Sequence, residues 1–453
     1  MRVITTACLS LLALSACSNT ETEIREDLRC LTGAYRMANG AVFDVGLSGE
    51  NSLRWRTLDG QNGHVTQTDD GVWSGTTGWS DRPNPARIVL GECGDNVIEI
   101  VGIAGHDGTG ERIPLQVEDM RFQGEGETLA GRLVLPEGEA PVPIVVLVHG
   151  SEDWSARDYD FQQRTLPAQG IGVFVYDKRG TGGSTGTYSQ DFDLLAADAA
   201  AAHRTALEHA GERVAYSGYF GGSQGGWVAP LAATLSDVDF VIASFGMAEG
   251  PLAEDRDEVQ LRLRDAGFGA EEQAKAREIT DITARLLLSD FQDGASDLAR
   301  VRREYQNEAW FPLLEGGISY EMVKRPLWQF RIGFAFLDTG TSWDYVPVDV
   351  MRTLETPMLW VIAGSDRSTP PENTLRILAE LQAEDRAIDV ALFPGTDHGI
   401  VRFEEDEDGE RTILGYAPGY FPLLSDWIIQ QELGAAYPGA ELAPRRPSES
   451  DPG

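Results

Sequence analysis

Two strings of this 453-residue sequence match the pattern Gly-x-Ser-x-Gly: Gly221-Gly222-Ser223-Gln224-Gly225 and Gly182-Gly183-Ser184-Thr185-Gly186. The pattern has a physical reason. A serine held on a sharp turn between a strand and a helix presents its hydroxyl outward, and small neighbours let the helix pack close to the strand. That hydroxyl attacks a carbonyl only if a nearby base takes its proton, and histidine, which titrates near neutrality, suits the task. Context separates the two strings. Arg213 to Tyr219 reads as a strand leading into Ser223, and Gly226-Trp227-Val228-Ala229 opens a helix, with Pro230 as a local irregularity. Before Ser184 the strand ends near Tyr176, a long polar stretch intervenes, and no helical pattern begins until about Asp191. Ser223 is therefore the expected nucleophile.

Three segments together resemble the α/β-hydrolase superfamily. Val148-His149-Gly150-Ser151 is similar to its His-Gly turn after the third strand, Tyr176 to Ser184 to its loop after the fourth, and Gly222-Ser223-Gln224-Gly225-Gly226 to its nucleophile elbow after the fifth. The resemblance covers about 120–435. Two positions depart from it: Gly222, where many members carry histidine, and Glu152-Asp153, where small residues are commoner. It implies a chain order of serine, acid, histidine. Of six histidines only His398 follows Ser223, in a loop after the strand expected at Ile388 to Leu392. Asp366 follows the apolar run Met358 to Ile362 and is the expected acid, able to fix the histidine tautomer and stabilise the imidazolium. Asp397 is a weaker rival, since a sequence neighbour seldom reaches the correct ring nitrogen, and Asp344 falls in an insertion or its exit. The resemblance also implies an oxyanion hole formed by the backbone N–H groups of Gln224 and Ser151. His149 is expected to be structural, and Asp177 and Arg179 to brace the loop beside the site.

The elements that position these residues can be read from apolar patterning. Leu129 to Pro136 reads as a strand ending at a proline, and Pro143 to Val148, Gly172 to Tyr176, Val238 to Ala243 and Met358 to Ile362 are short, near-continuous apolar runs, as expected for strands buried on both faces. Helical stretches, Asp193 to Glu208 and Pro371 to Glu384 among them, alternate with these strands. That alternation predicts a doubly wound, mostly parallel α/β sheet over 118–249 and 346–436. Residues 250–345 are charged and helix-patterned, Glu271 to Asp290 most clearly, and read as a helical cap inserted between strands. Residues 30–117 carry short alternating stretches broken by Asp59-Gly60, Asp70-Gly71 and Gly94-Asp95-Asn96, which predicts a small antiparallel all-β domain with Trp55, Trp73 and Trp79 in its core. The acidic run Glu404 to Glu410 reads as a solvated hairpin tip, and 437–453 as a disordered tail.

The first residues address the chain. Arg2 and the short apolar run Val3 to Leu14 form a signal peptide, 1–16, too short to span a bilayer. Leu14-Ser15-Ala16-Cys17 resembles a bacterial lipobox. That resemblance implies cleavage before Cys17, lipidation of its thiol, and a tether over 17–29. With Ser18 next, an exported, periplasm-facing lipoprotein anchored in the outer membrane is expected. Cys30 and Cys93 are then left as a pair in an oxidising compartment, where a disulfide is expected. The formal net charge of −35 argues against nucleic acid, anionic lipid surfaces and acyl-CoA as partners. The expected activity is hydrolysis of a small-molecule carboxylic ester through an acyl-enzyme, with no metal or organic cofactor, beneath a cap that shapes an apolar pocket. Peptide hydrolysis of an aminopeptidase-like kind is the alternative. A third reading, a non-catalytic envelope lipoprotein that binds a ligand, leaves the set Ser223, Asp366 and His398 without a purpose.

Overall fold

A computed structural model of the protein describes residues 26–446 apart from Asp70 and Gly316. The signal segment, Cys17, most of the tether and residues 447–453 lie outside the described residues. Among the described residues no helix is long and apolar enough to cross a membrane.

The N-terminal part is a closed barrel of eight antiparallel strands running from Gly33–Met37 to Gly108–Arg112, the last pairing with the first through Tyr35 and Arg112. The alternating sequence builds it directly. Ile98 and Ile100 point inward from Val97–Val101, where Tyr35, Phe43, Leu53, Trp55, Trp73 and Ile88 join them in one core. Cys30 and Cys93 are disulfide-bonded, tying the approach to the first strand to the turn before Val97. Trp79 corrects the expectation that all three tryptophans are core. It is 43% exposed and lies edge-on against Tyr416 of the next domain, because its turn is where the barrel meets that domain.

The second part is a nine-stranded mixed sheet: β1 (Leu115–Gln123), β2 (Thr128–Pro136), β3 (Val142–Val148), β4 (Gly172–Tyr176), β5 (Val214–Gly222), β6 (Phe240–Ser244), β7 (Met358–Ala363), β8 (Ile388–Phe393) and β9 (Glu441–Ala443). Their spatial order is β9-β8-β7-β6-β5-β3-β4-β2-β1. The contiguous strands from β8 to β4 pair in parallel, and the flanking strands are antiparallel. Apolar residues bury both faces. Phe192–Ala210, Gly225–Ala233 and Pro371–Ala383 cover one side, and Tyr420–Gln430 covers the other. Between β6 and β7 lie the helices Pro251–Asp265, Ala270–Leu288, Ala295–Tyr305, Ile318–Lys324 and Leu327–Leu337, which share a core of their own.

The expected disordered tail is corrected by β9. An open edge of β8 accepts it, Gln382 Nε2 donates to the carbonyl of Ala443, and the buried Asp389 carboxylate accepts from the N–H of Arg445. The acidic run does form a hairpin, Val401–Glu405 with Arg411–Tyr416, but its carboxylates are not simply solvated. Glu405 pairs with Arg367 and Arg411, and Glu404 with Arg82 of the barrel.

Candidate active site

The elbow follows from packing at the end of β5. Ser223 has φ of +54°, a left-handed conformation unusual for a residue with a side chain, and its N–H donates to the carbonyl of Ser244 at 3.0 Å. The helix Gly225–Ala233 begins at once. Gly225 must be glycine, because a Cβ there would lie 2.6 Å from the carbonyl oxygen of Val148. The strand thus hands the hydroxyl straight to the carboxyl edge of the sheet, where the loops after β3, β7 and β8 meet it.

Ser223 Oγ lies 3.1 Å from Nε2 of His398, and His398 Nδ1 lies 2.8 Å from Oδ2 of Asp366. Asp366 is 1% exposed and fully engaged. Oδ1 accepts from the N–H groups of Ser368 and Thr369, each at 2.9 Å, and Oδ2 also accepts from Thr369 Oγ1 at 2.7 Å. Burial alone would push the His398 imidazole down. The Asp366 carboxylate, by charge and by hydrogen bond, with Asp397 adding negative potential, outweighs it and holds the group above the ordinary histidine range. Asp397, the rival acid, instead forms an ion pair with Arg411 at 2.8 Å. Ser184 is occupied structurally, donating to the carbonyl of Asp177 at 2.6 Å and accepting from the N–H of Ala130.

The loop after β3 is pinned beside the serine. A Cβ on Gly150 would stand 3.5 Å from that of Ser223. The Ser151 carbonyl accepts from Tyr188 Oη at 2.6 Å, and the Gly150 carbonyl accepts from Lys178 Nζ at 2.5 Å. Gln224 is the N-cap of the helix Gly225–Ala233 and is buried. His149 is buried too, its Nε2 2.9 Å from the carbonyl oxygen of Tyr176. Burial and then the Lys178 charge push it down to about 3. Asp177 holds Ser155 and the N–H of Gly183, and Arg179 pairs with buried Asp198 at 2.8 Å. Among the described residues no group of three His, Cys, Asp or Glu side chains could hold a metal ion.

A model of the alpha/beta hydrolase family matches residues 145–412. This chain belongs to that family. No curated protein matches the sequence. Solved structures similar to this α/β hydrolase include an esterase of Pyrococcus furiosus (15% identity, 63% of this chain and 84% of that one, TM-score 0.40). An esterase of Pyrobaculum calidifontis is also similar (15% identity, 70% and 85%, TM-score 0.42). An acylaminoacyl peptidase of Pyrococcus horikoshii has 13% identity and a TM-score of 0.44, over 89% of this chain and 57% of that one.

Three features of this α/β hydrolase escaped the sequence. Phe245 packs against Gly222, where a Cβ would come within 2.5 Å of its ring, which accounts for the missing larger side chain before Ser223. Glu152 folds back so that Oε1 accepts from the Gly150 N–H at 3.1 Å, which gives the odd acidic residue a local partner. Thr369 buttresses the acid; the string Asp366-Arg367-Ser368-Thr369 is a turn of the aspartate-capped type and was a usable signal.

Proposed function

We propose that the protein is a serine hydrolase that cleaves carboxylic esters. Ser223 Oγ passes its proton to His398 Nε2 as it attacks the ester carbonyl carbon, and the carbonyl π electrons move onto oxygen. The backbone N–H groups of Gln224 and Ser151 receive that oxyanion. His398 then gives its proton to the departing alkoxide, leaving an acyl group on Ser223. Water repeats the sequence: its proton goes to His398, its oxygen attacks the acyl carbon, and the acid departs as Ser223 regains a proton. Asp366 keeps Nδ1 of His398 protonated, so that Nε2 is the free base, and stabilises the imidazolium.

The observation that carries this reading is the continuous chain from Ser223 Oγ through His398 to Asp366, at 3.1 and 2.8 Å, with the serine on a left-handed turn. The test is labelling with a fluorophosphonate probe, followed by assay on short p-nitrophenyl esters and on aminoacyl anilides. Label on Ser223, ester turnover, and loss of about 10⁶-fold in Ser223→Ala are expected by analogy with other serine hydrolases. Anilide turnover exceeding ester turnover would move the reading to a peptidase. Absence of label would leave a binding protein.

We further propose, from the string ending at Cys17, that the mature chain is a lipoprotein exported to the cell envelope. Metabolic labelling with palmitate, lost in Cys17→Ser, is the expected result; a labelled Cys17→Ser protein would refute it.

A further inference from the structure

The barrel does not pack on the catalytic domain at an indifferent place. It grips the hairpin Val401–Glu405/Arg411–Tyr416, which starts three residues after His398. The Trp79 N–H donates to the carbonyl of Ile413 at 3.0 Å, the Tyr416 N–H donates to the carbonyl of Gly60 at 2.8 Å, and Gln61 bridges to Gly415. The approach is close enough that a Cβ on Gly78 would collide with the Ile413 carbonyl.

From that hairpin Glu405 reaches the loop of Asp366, through Arg367 at 3.1 Å, and a second side chain reaches both that loop and the loop of His398. Arg411, whose side chain is 13% exposed, places Nη1 2.6 Å from the carbonyl oxygen of Ser365 and 2.8 Å from Oδ2 of Asp397. Ser365 precedes Asp366, and Asp397 precedes His398. Oδ1 of Asp397 accepts from the N–H groups of His398, at 2.9 Å, and Arg367, at 3.3 Å. One guanidinium therefore staples the loop that carries the acid to the loop that carries the base. Nε of Arg411 is held in turn by Glu405, at 2.9 Å, and the guanidinium lies over the Phe403 ring at 3.9 Å.

We propose that Arg411 is a positioning residue that fixes His398 against Asp366, and that the N-terminal barrel serves this reaction by holding the hairpin of Arg411 in place. The proposal rests on the functional reading above. A displacement of about 1 Å between reacting groups costs about a hundredfold in rate, which sets the size of the expected effect.

The test follows the rate at which a fluorophosphonate modifies Ser223, so no substrate need be known. Arg411→Gln is expected to react about a hundredfold more slowly. Its pH profile separates positioning from simple charge. The groups whose charges act on His398 over the acid limb are Asp366 and Asp397; Glu254 also faces it but, raised to about 8, is protonated there. Removing the Arg411 cation alone would leave Asp397 uncompensated and move the acid limb to higher pH. Loosening His398 from Asp366 removes the main upward influence and moves it to lower pH, which is the expected result. Gly78→Ala, altering only the barrel, is expected to slow modification at least tenfold while the protein remains folded by circular dichroism. A wild-type rate or an upward shift in Arg411→Gln overturns the positioning role, and a wild-type rate in Gly78→Ala overturns the barrel's part in it. If Arg411→Gln fails to fold, Asp397→Asn is read by the same rate criterion on the pH plateau above the acid limb, where its lost charge on His398 no longer affects the rate, because it keeps an oxygen for the two N–H groups while breaking the ion pair. Trp79→Ala substitutes for Gly78→Ala in the same way. Failure of the functional reading is distinct, since the wild-type protein would then carry no label on Ser223.

Discussion

The ring of Phe245 stands edge-on to the imidazole of His398, with centroids 5.1 Å apart, and also presses on Gly222, the residue before Ser223. One aromatic side chain thus touches His398 and the residue that precedes Ser223. A methyl group on Gly222 must push that ring, and the ring must push the imidazole.

Gly222→Ala is accordingly expected to lower kcat on a p-nitrophenyl ester by about tenfold or more, as a displacement of the base does. In Gly222→Ala with Phe245→Ala the obstacle is gone, so the loss on adding the methyl should largely disappear. Residues in contact couple in this way, by about 0.5–3 kcal/mol. Strictly additive effects in the double-mutant cycle would show that the Phe245 ring does not transmit the methyl group's push.

A pH effect follows from the first turn of the helix Pro251–Asp265. Burial, and next the charge of Glu258, push the Glu254 carboxyl up to about 8. An unfolded glutamate titrates near about 4.3. Because the folded value is raised, the native state retains the proton that the unfolded state gives up. The contribution of Glu254 to stability is therefore complete below about pH 4.3 and is lost as pH rises toward 8. Glu254→Gln, which cannot ionise, should have a Tm that gains on the wild type progressively from pH 4 to pH 8. A Tm difference independent of pH over that window would refute the raised value.

What the sequence reveals here depends on how local each signal is. The strands β3, β4 and β7 announce themselves because both faces are buried, and the resulting apolar runs stand out over five to seven residues. Ser223 is legible because its turn needs glycines within two positions on either side. His398 is legible through chain order and its place after the strand β8, since nothing in Asp397-His398-Gly399 alone marks a base. The rest depends on contacts remote in sequence. The Arg411–Ser365 bond spans 46 residues, and Tyr416 meets the barrel more than 300 residues after Trp79. The strand β9 has three residues and draws its order from the open edge of β8, so its own composition reads as a tail.

The disulfide yields a prediction about the barrel. Cys30 and Cys93 are 63 residues apart, and closing such a loop stabilises by about 4 kcal/mol in the chain-entropy account. Both thiols should resist iodoacetamide until the protein is reduced. Cys30→Ser with Cys93→Ser should unfold at a markedly lower urea concentration. Ready alkylation of both cysteines in the unreduced native protein would reject the bridge.

Lys178 is the most unusual buried group beside the site. It is 1% exposed, its Nζ donates to the carbonyls of Gly150, at 2.5 Å, and Glu152, at 3.2 Å, and it lies 4.8 Å from the centre of the Tyr188 ring. Tyr188 in turn holds the carbonyl of Ser151. Three successive carbonyls of the loop after β3 are thereby tied back by one lysine and one tyrosine, which fixes the peptide planes on which the oxyanion contact proposed for Ser151 depends. Lys178→Met retains much of the volume and strips the donor. It should cost about 1–3 kcal/mol for each carbonyl left unpaired, read as a lower midpoint in urea. Because catalysis needs that peptide at one angle whereas folding needs it only roughly placed, kcat should fall by about a hundredfold under conditions where the variant is still fully folded. A Lys178→Met protein that is destabilised yet retains wild-type kcat would place the oxyanion donor elsewhere than on this loop.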